Sequence, residues 1–342
     1  MAIVASLAES VLTRSNGESW QQAMKTAIRD SSTLCRRLKL PEPLKLVSDC
    51  SFPVFAPLGY VKRMRPGDPR DPLLRQVLPL AEEAIDAAGF GNDPVQDQAA
   101  ILRPGLLQKY SRRVLLVTTG ACAIHCRYCF RRHFPYGKGP RSMAQWQPAI
   151  EQISADSTIE EVILSGGDPL TLVDAHLAEL AKQLASIPHL RLLRIHTRLP
   201  IVIPERVTSA LLEWLSASRL VPVIVIHANH AAELDESVAA ALQRLTRAGI
   251  MLLNQTVLLH GVNDSLAALS ELSCRLIDLR VVPYYLHQLD RVRGAAHFEV
   301  PVERGRELVE QLRDTLPGYA VPTYVQEVAG QPSKQVLFPT PL

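Results

Sequence analysis

Apolar positions change their rhythm along this chain. Before about residue 100 they fall at helical spacing or in no fixed register. Ser19–Arg37 mixes charge with helix-forming residues. Asp71–Gly89 carries an apolar stripe at helical spacing (Leu73, Leu74, Val77, Leu78, Leu80, Ala81, Ala84), so both segments are predicted as helices. Between them, FPVFAPLGYVKRMRPGDPRDP is too rich in proline for a continuous helix or a central strand. From Arg113 onward short β-branched runs take over, at Val114–Thr119, Glu161–Ser165, Leu192–Thr197, Pro222–His227, Met251–Leu258 and Val281–Leu286. After the first gap they recur at roughly 30 residues, with helix-like stretches at Ala175–Ser186, Pro204–Ser216, Ser237–Ala248 and Ser265–Leu279.

Strand–helix alternation at that spacing means parallel βαβ units. Six units fit a partial (β/α)6 TIM-like barrel, two short of the full eight-fold one. A doubly wound open sheet fits the same alternation, but no GxGxxG follows any of the strands. The expected organisation is a mostly helical N-terminal extension over 1–100, the α/β barrel over 101–290, and a C-terminal segment over 291–342 that closes the site. Most polar residues worth singling out come just after the strands, on the carboxyl-terminal rim where parallel α/β folds build their sites.

Composition narrows the class. The 342 residues balance 37 Lys and Arg against 34 Asp and Glu, and a net charge of +3 argues for neither nucleic acid nor membrane surface. The opening MAIVASLAESVLTRSNGESW is broken by Glu9 and Arg14 before a secretory core can form. No stretch approaches the roughly 18 apolar residues of a membrane-spanning helix. A soluble, non-exported, cytoplasmic protein is expected. Of the six cysteines, Cys35, Cys50 and Cys274 stand alone while three crowd into TTGACAIHCRYCFRRHF. In a reducing compartment such clustering signals metal or redox chemistry rather than cross-linking.

Cys122, Cys126 and Cys129 form C-x3-C-x2-C directly after the first barrel strand. A structural zinc wants four ligands, and His125 or His133 could complete such a set. A four-iron cluster also has four ligand positions, and three thiolates leave one iron open to a substrate. Free thiols without a metal are the third reading. In Ser165-Gly166-Gly167-Asp168-Pro169 the local physics predicts a turn in which Asp168 caps a helix and Pro169 occupies its first position.

The cysteine spacing, with Tyr128 before the last thiol, resembles the radical S-adenosylmethionine superfamily. That resemblance implies a [4Fe–4S] cluster on the three cysteines, S-adenosylmethionine on the open iron, and a 5′-deoxyadenosyl radical. It also implies that Gly166, Gly167 and Asp168 face the methionine end of the cofactor. From about Phe52 to Lys334 the chain is similar to lysine 2,3-aminomutases, and to their short bacterial relatives that make (R)-β-lysine for elongation factor P. The matching blocks are DPRDPLLRQVLP, RVLLVTTGACAIHCRYCFRRHF, SGGDPL, RIHTRLPIVIP, NQTVLLHGVND, PYYLHQLD and GAAHF, with the terminal lysine.

Carried over residue by residue, the resemblance implies that Lys334 holds pyridoxal 5′-phosphate covalently and that Arg113 lies near it. Arg131 would take the substrate carboxylate, while Asp290 and Glu327 grip its side-chain ammonium. His227 and Gln255 would lie near the adenosyl group. Free lysine is then the substrate, a flavodoxin- or ferredoxin-type protein the reductant, and elongation factor P with its lysine ligase the downstream partners. The larger aminomutases use extra cysteines for a structural zinc, but Ser265 stands where one is expected here, so no zinc is predicted and their tetramer is not assumed. Two further readings stay open: a radical enzyme that modifies a macromolecule without pyridoxal phosphate, and a zinc-stabilised RNA-binding module.

Overall fold

A computed structural model of the chain describes residues 19–42, 44–47, 52–140 and 142–338; the first 18 residues, Cys50 and the last four lie outside it. Among the described residues ten strands join one sheet in simple sequence order, β1 to β10. Its centre is six parallel strands: β3 (Arg113–Thr119), β4 (Glu161–Gly166), β5 (Leu192–Thr197), β6 (Val221–Ile226), β7 (Met251–Val257) and β8 (Val282–His287). Each matches an expected run to within one residue at either end.

Two additions flank this centre. The hairpin β1 (Ile101–Arg103) and β2 (Leu106–Leu107) pairs antiparallel with β3. At the other side β9 (Thr323–Gln326) runs parallel to β8, and β10 (Gln335–Val336) folds back antiparallel on β9. No pairing joins β1 to β10, so the sheet is the open, partial barrel that the alternation predicts.

The N-terminal extension is less regular than expected. It carries α1 (Trp20–Lys25), α2 (Ser31–Arg37), α3 (Leu58–Val61) and α4 (Pro72–Arg75). The helix expected over Asp71–Gly89 stops after one turn, and only a 3-10 turn at Ala81–Ala84 follows. Pro79 explains the interruption, because it lacks the amide an α-helix needs. The apolar stripe is still buried: Leu73, Leu74, Val77 and Leu78 are all at most 2% exposed.

The crossovers are α5 (Met143–Ala155), α6 (Asp174–Ala185), α7 (Leu199–Val202), α8 (Ser209–Ala217), α9 (Glu236–Arg247), α10 (Leu266–Asp278) and α11 (Val302–Thr315). The long helix expected at Pro204–Ser216 is a 3-10 turn followed by α8, because the Thr208 side chain caps the Leu211 amide and starts the helix afresh. Strand alternation sorts the residues of β5. Leu193, Ile195 and Thr197 are fully buried, and the first two join one core with Leu177, Leu180 and Leu184 of α6. Arg194 and His196 lie on the opposite, inner face, which is half-exposed. Burying each such leucine or isoleucine stabilises the barrel wall by about 1.5–3 kcal/mol, which leaves the inner face free to be polar.

Candidate active site

The cysteine loop leaves β3 and is clamped by the N-terminal extension. The His125 amide donates to the Phe55 carbonyl and the Arg127 amide to the Gln76 carbonyl. Arg127 is wholly buried; its Nε donates to Glu83 at 2.7 Å and its Nη1 to the Phe52 carbonyl at 2.6 Å. The His125 ring stacks on Phe52 at 4.6 Å and its Nδ1 bonds the Pro53 carbonyl, while His133 Nε2 faces the Arg293 carbonyl. Both histidines that could have completed a zinc site therefore have other partners.

The three thiols are brought close enough to repel one another as thiolates. Burial, then the charges of Cys129, Asp168 and Cys126, push the Cys122 thiol well above its ordinary range. Burial and Cys126 push Cys129 up to about 11. Such a trio ionises together only if a cation neutralises it, and iron does so. Among the described residues no three His, Cys, Asp or Glu side chains are placed to share a single ion; a cluster instead gives each thiolate its own iron. The donor set fits a cluster.

The glycine turn after β4 docks against this loop. Gly166 has φ +122°, and a Cβ on Gly167 would stand 2.2 Å from the Ala121 carbonyl oxygen. The Gly167 and Asp168 amides donate to Thr119 and Ala121 carbonyls at 2.7 Å. The glycines make room for the chain's own cysteine loop. Asp168 Oδ1 accepts from the Leu170 amide and Thr197 hydroxyl, and Oδ2 from the Arg198 and Leu199 amides. The capping role is met. Four donors use the carboxylate's lone pairs and fix it beside the cysteine loop.

The second half of the site is a line of alternating charges. Arg131 Nε donates to Asp97 at 2.6 Å and Nη1 to Ser165 Oγ at 3.1 Å. Asp97 Oδ1 also forms an ion pair with Lys109 Nζ at 2.8 Å, Lys109 lies 3.5 Å from Glu327, and Glu327 accepts a hydrogen bond from Lys334. Tyr110 faces Glu327, and the Arg113 guanidinium lies 5.0 Å from the Tyr110 ring. Burial pushes the Glu327 carboxyl up, but Lys334, Tyr110 and Lys109 outweigh it and hold the group below the usual carboxylate range. Asp290 lacks so direct a partner. Burial raises it to about 7, opposed by Lys334 and reinforced by Glu327.

Between the two halves runs the inner face of the sheet. His227, just past β6, is held down to about 4 by burial and then by Arg198; Gln255 on β7 is buried and pairs with Tyr285 across the ladder. Sequence reasoning did not single out His196 and His287. Both are half-buried, burial holds each imidazole well below its ordinary range, and each Nε2 is itself buried without a hydrogen-bond partner, as is the Nε of Arg113. Orphaned buried donors and acceptors around a lysine suit a polar, anionic heterocycle such as pyridoxal phosphate. Inward alternation at the ends of RIHT and YYLH could have revealed both histidines. Asp97 and Lys109 gave no such signal, since one sits in a single 3-10 turn and the other in irregular chain.

The sequence model of the Radical SAM superfamily matches residues 116–272. L-lysine 2,3-aminomutase of Escherichia coli (strain K12) is 45% identical over 324 residues, 94% of each chain. The same-named protein of Haemophilus influenzae is 43% identical over 320 residues, 93% of this chain and 95% of that one, and that of Clostridium subterminale 39% over 283 residues, 82% and 67%. Among solved structures, Streptococcus suis SuiB superposes with a TM-score of 0.50 at 13% identity, over 65% of this chain and 50% of its own, a likeness of fold. With a cysteine loop that fits a cluster, a lysine set among charges, and this identity over nearly its whole length, the chain belongs to the L-lysine 2,3-aminomutase family of radical S-adenosylmethionine proteins.

Proposed function

We propose that the protein converts (S)-α-lysine to (R)-β-lysine, with Cys122, Cys126 and Cys129 holding the cluster and Lys334 the pyridoxal phosphate. The observation that carries this reading is the charge line from Arg131 to Lys334, which places a guanidinium at one end and carboxylates at the other. Lysine presents the complementary pair, a carboxylate and a distal ammonium. A glutamate-specific site would have no use for Glu327 and Asp290 together.

When bound, the cluster and S-adenosylmethionine supply an adenosyl radical that removes and returns a hydrogen atom, and pyridoxal phosphate carries the migrating nitrogen. The chain's residues do the rest. Arg131, oriented by Asp97 through Nε and by Ser165 through Nη1, keeps Nη2 for the substrate carboxylate. Glu327 and Asp290 receive the ammonium, Glu327 exchanging Lys334 for the substrate's own amine. Once free of Glu327, the Lys334 amine is available as the nucleophile. Arg113 supports the phosphate, and His227 and Gln255 border the adenosyl group.

The product suits attachment to elongation factor P by its lysine ligase, and a flavodoxin- or ferredoxin-type protein suits the reductant. An anaerobic assay tests the reading: cluster-loaded protein, lysine, S-adenosylmethionine, pyridoxal phosphate and strong reductant should give β-lysine by mass spectrometry. Borohydride should fix a pyridoxyl group on the peptide containing Lys334. A pyridoxyl group fixed on another lysine, or the absence of β-lysine from an iron-loaded preparation, would remove the assignment.

A further inference from the structure

We infer that Arg198 tunes the reduction potential of the cluster by holding a positive charge and an N–H donor against the Cys126 sulfur. Arg198 follows β5 and is 6% exposed. Its Nη1 donates to Cys126 Sγ at 2.7 Å and to the Tyr128 hydroxyl at 2.7 Å. Its Nη2 donates to Gln76 Oε1 at 2.6 Å, Glu233 Oε2 at 2.7 Å and the Tyr60 hydroxyl at 3.3 Å. The guanidinium has no freedom to swing away, and its Nε is buried without a partner.

The scaffold behind it is equally fixed. Asp168 accepts the Arg198 amide, so the glycine turn that docks on the cysteine loop also sets the height of this side chain. Glu233 is fully buried, with Oε1 taken by Gln76 and the Asn229 and His230 amides and Oε2 by Arg198. A simple structural ion pair would need only Glu233. The contact with Cys126 is what that pairing leaves unexplained.

The sign follows from electrostatics. Reducing the cluster adds one electron, and a fixed cation and an N–H···S bond at a ligand sulfur stabilise the added charge. Arg198 therefore raises the potential, which eases loading of the electron onto the cluster and tempers the driving force for passing it on. Glu233 offsets part of the charge from farther back. Arg198 touches a cluster ligand, not the substrate, and is a positioning residue.

Anaerobic redox titration of the reconstituted protein, followed by electron paramagnetic resonance of the reduced cluster, tests this. Arg198→Met should lower the ratio of reduced to oxidised cluster at a fixed potential about tenfold, equivalent to about 59 mV for one electron. Arg198→Lys should keep more than half of that shift from appearing. Because Arg198→Met leaves Glu233 buried and unpaired, the double variant Arg198→Met, Glu233→Gln keeps the test open if the single one does not fold. Its shift should have the same sign and be smaller, since the two charges leave together.

A ratio within about twofold of the parent in the Arg198→Met variant, single or double, that loads four irons overturns the inference, as does a shift toward easier reduction. Folded variants that load no cluster also overturn it, since they would show a role in assembly instead. The inference rests on the cluster itself. A parent protein that takes up no iron anaerobically sinks that reading, whereas an unchanged potential in a loaded variant sinks only the tuning role.

Discussion

The two ends of the proposed site are built in opposite ways. Around the cysteine loop, side chains and carbonyls are locked by several partners each: Arg127 by Glu83 and Phe52, Asp168 by four donors, Arg198 by five acceptors. Around Lys334, the contacts are charge pairs in a row, with Lys334 itself 23% exposed. Locked groups suit a cofactor that arrives once and stays. Exchangeable pairs suit the proposed reading, in which Lys334 would release Glu327 to substrate and take it back. The fold supplies that contrast directly. The cysteine loop lies between the barrel and the N-terminal extension, whereas Lys334 sits beside β10, an edge strand of two residues.

The hardest break in that comparison is to remove one end and ask whether the other survives. Cys126→Ala should abolish turnover and drop iron per chain to background. Its borohydride-fixed pyridoxyl group at Lys334 should persist, because none of the charge pairs there uses a cysteine. The reciprocal change, Lys334→Ala, should also abolish turnover while leaving iron content and the reduced-cluster resonance at parental values. If either variant loses both cofactors, the two ends are not independent and the contrast fails.

Arg131→Ala probes the joint between the ends, since Arg131 lies two residues past Cys129 yet begins the charge line. Removing a buried partner of a carboxylate costs roughly 2 kcal/mol or more, so lysine affinity should weaken about 30-fold. Asp97→Asn should weaken it less, because the guanidinium remains but loses its orienting acceptor at Nε. Calorimetric titration of lysine into pyridoxal-loaded protein separates the two. Equal losses would mean that Asp97 does more than orient.

How much of this was legible in the sequence follows the same division. Strands β3 to β8 were readable because β-branched runs alternating with helices admit few topologies. The thiols were readable because their spacing is itself the chemistry. Strands of two or three residues, such as β2 and β10, are too short for a periodicity to register. The helix expected after Asp71 was overruled by Pro79, a local signal that the apolar stripe masked. Asp97 and Glu233 sit in single 3-10 turns and Lys109 in irregular chain, and no spacing announces a contact between residues 157 positions apart such as Gln76 and Glu233. Identity with the aminomutases could carry over Asp290 and Glu327, but the unequal environments of the two acids needed the fold.

That inequality gives the smallest and most specific effect. Glu327 lies below the ordinary carboxylate range, whereas burial raises Asp290 to about 7. In the unfolded chain Asp290 would release its proton near 3.8, so between that value and about 7 the folded state holds more protons and stability falls as pH rises. The penalty is absent below the unfolded value and complete above the folded one. Asp290→Asn removes it. In protein without pyridoxal phosphate or lysine, the variant's thermal midpoint should match the parent at pH 4 and exceed it at pH 8, by about 1–2 °C for each kcal/mol relieved. Lysine binding should show the mirror image. An arriving ammonium needs Asp290 charged, so parental affinity should tighten severalfold from pH 6 to pH 8, and the asparagine variant should lose that slope along with much of its affinity. A variant that keeps the parental slope would place the titrating group elsewhere and leave Glu327 as the sole acid gripping the substrate.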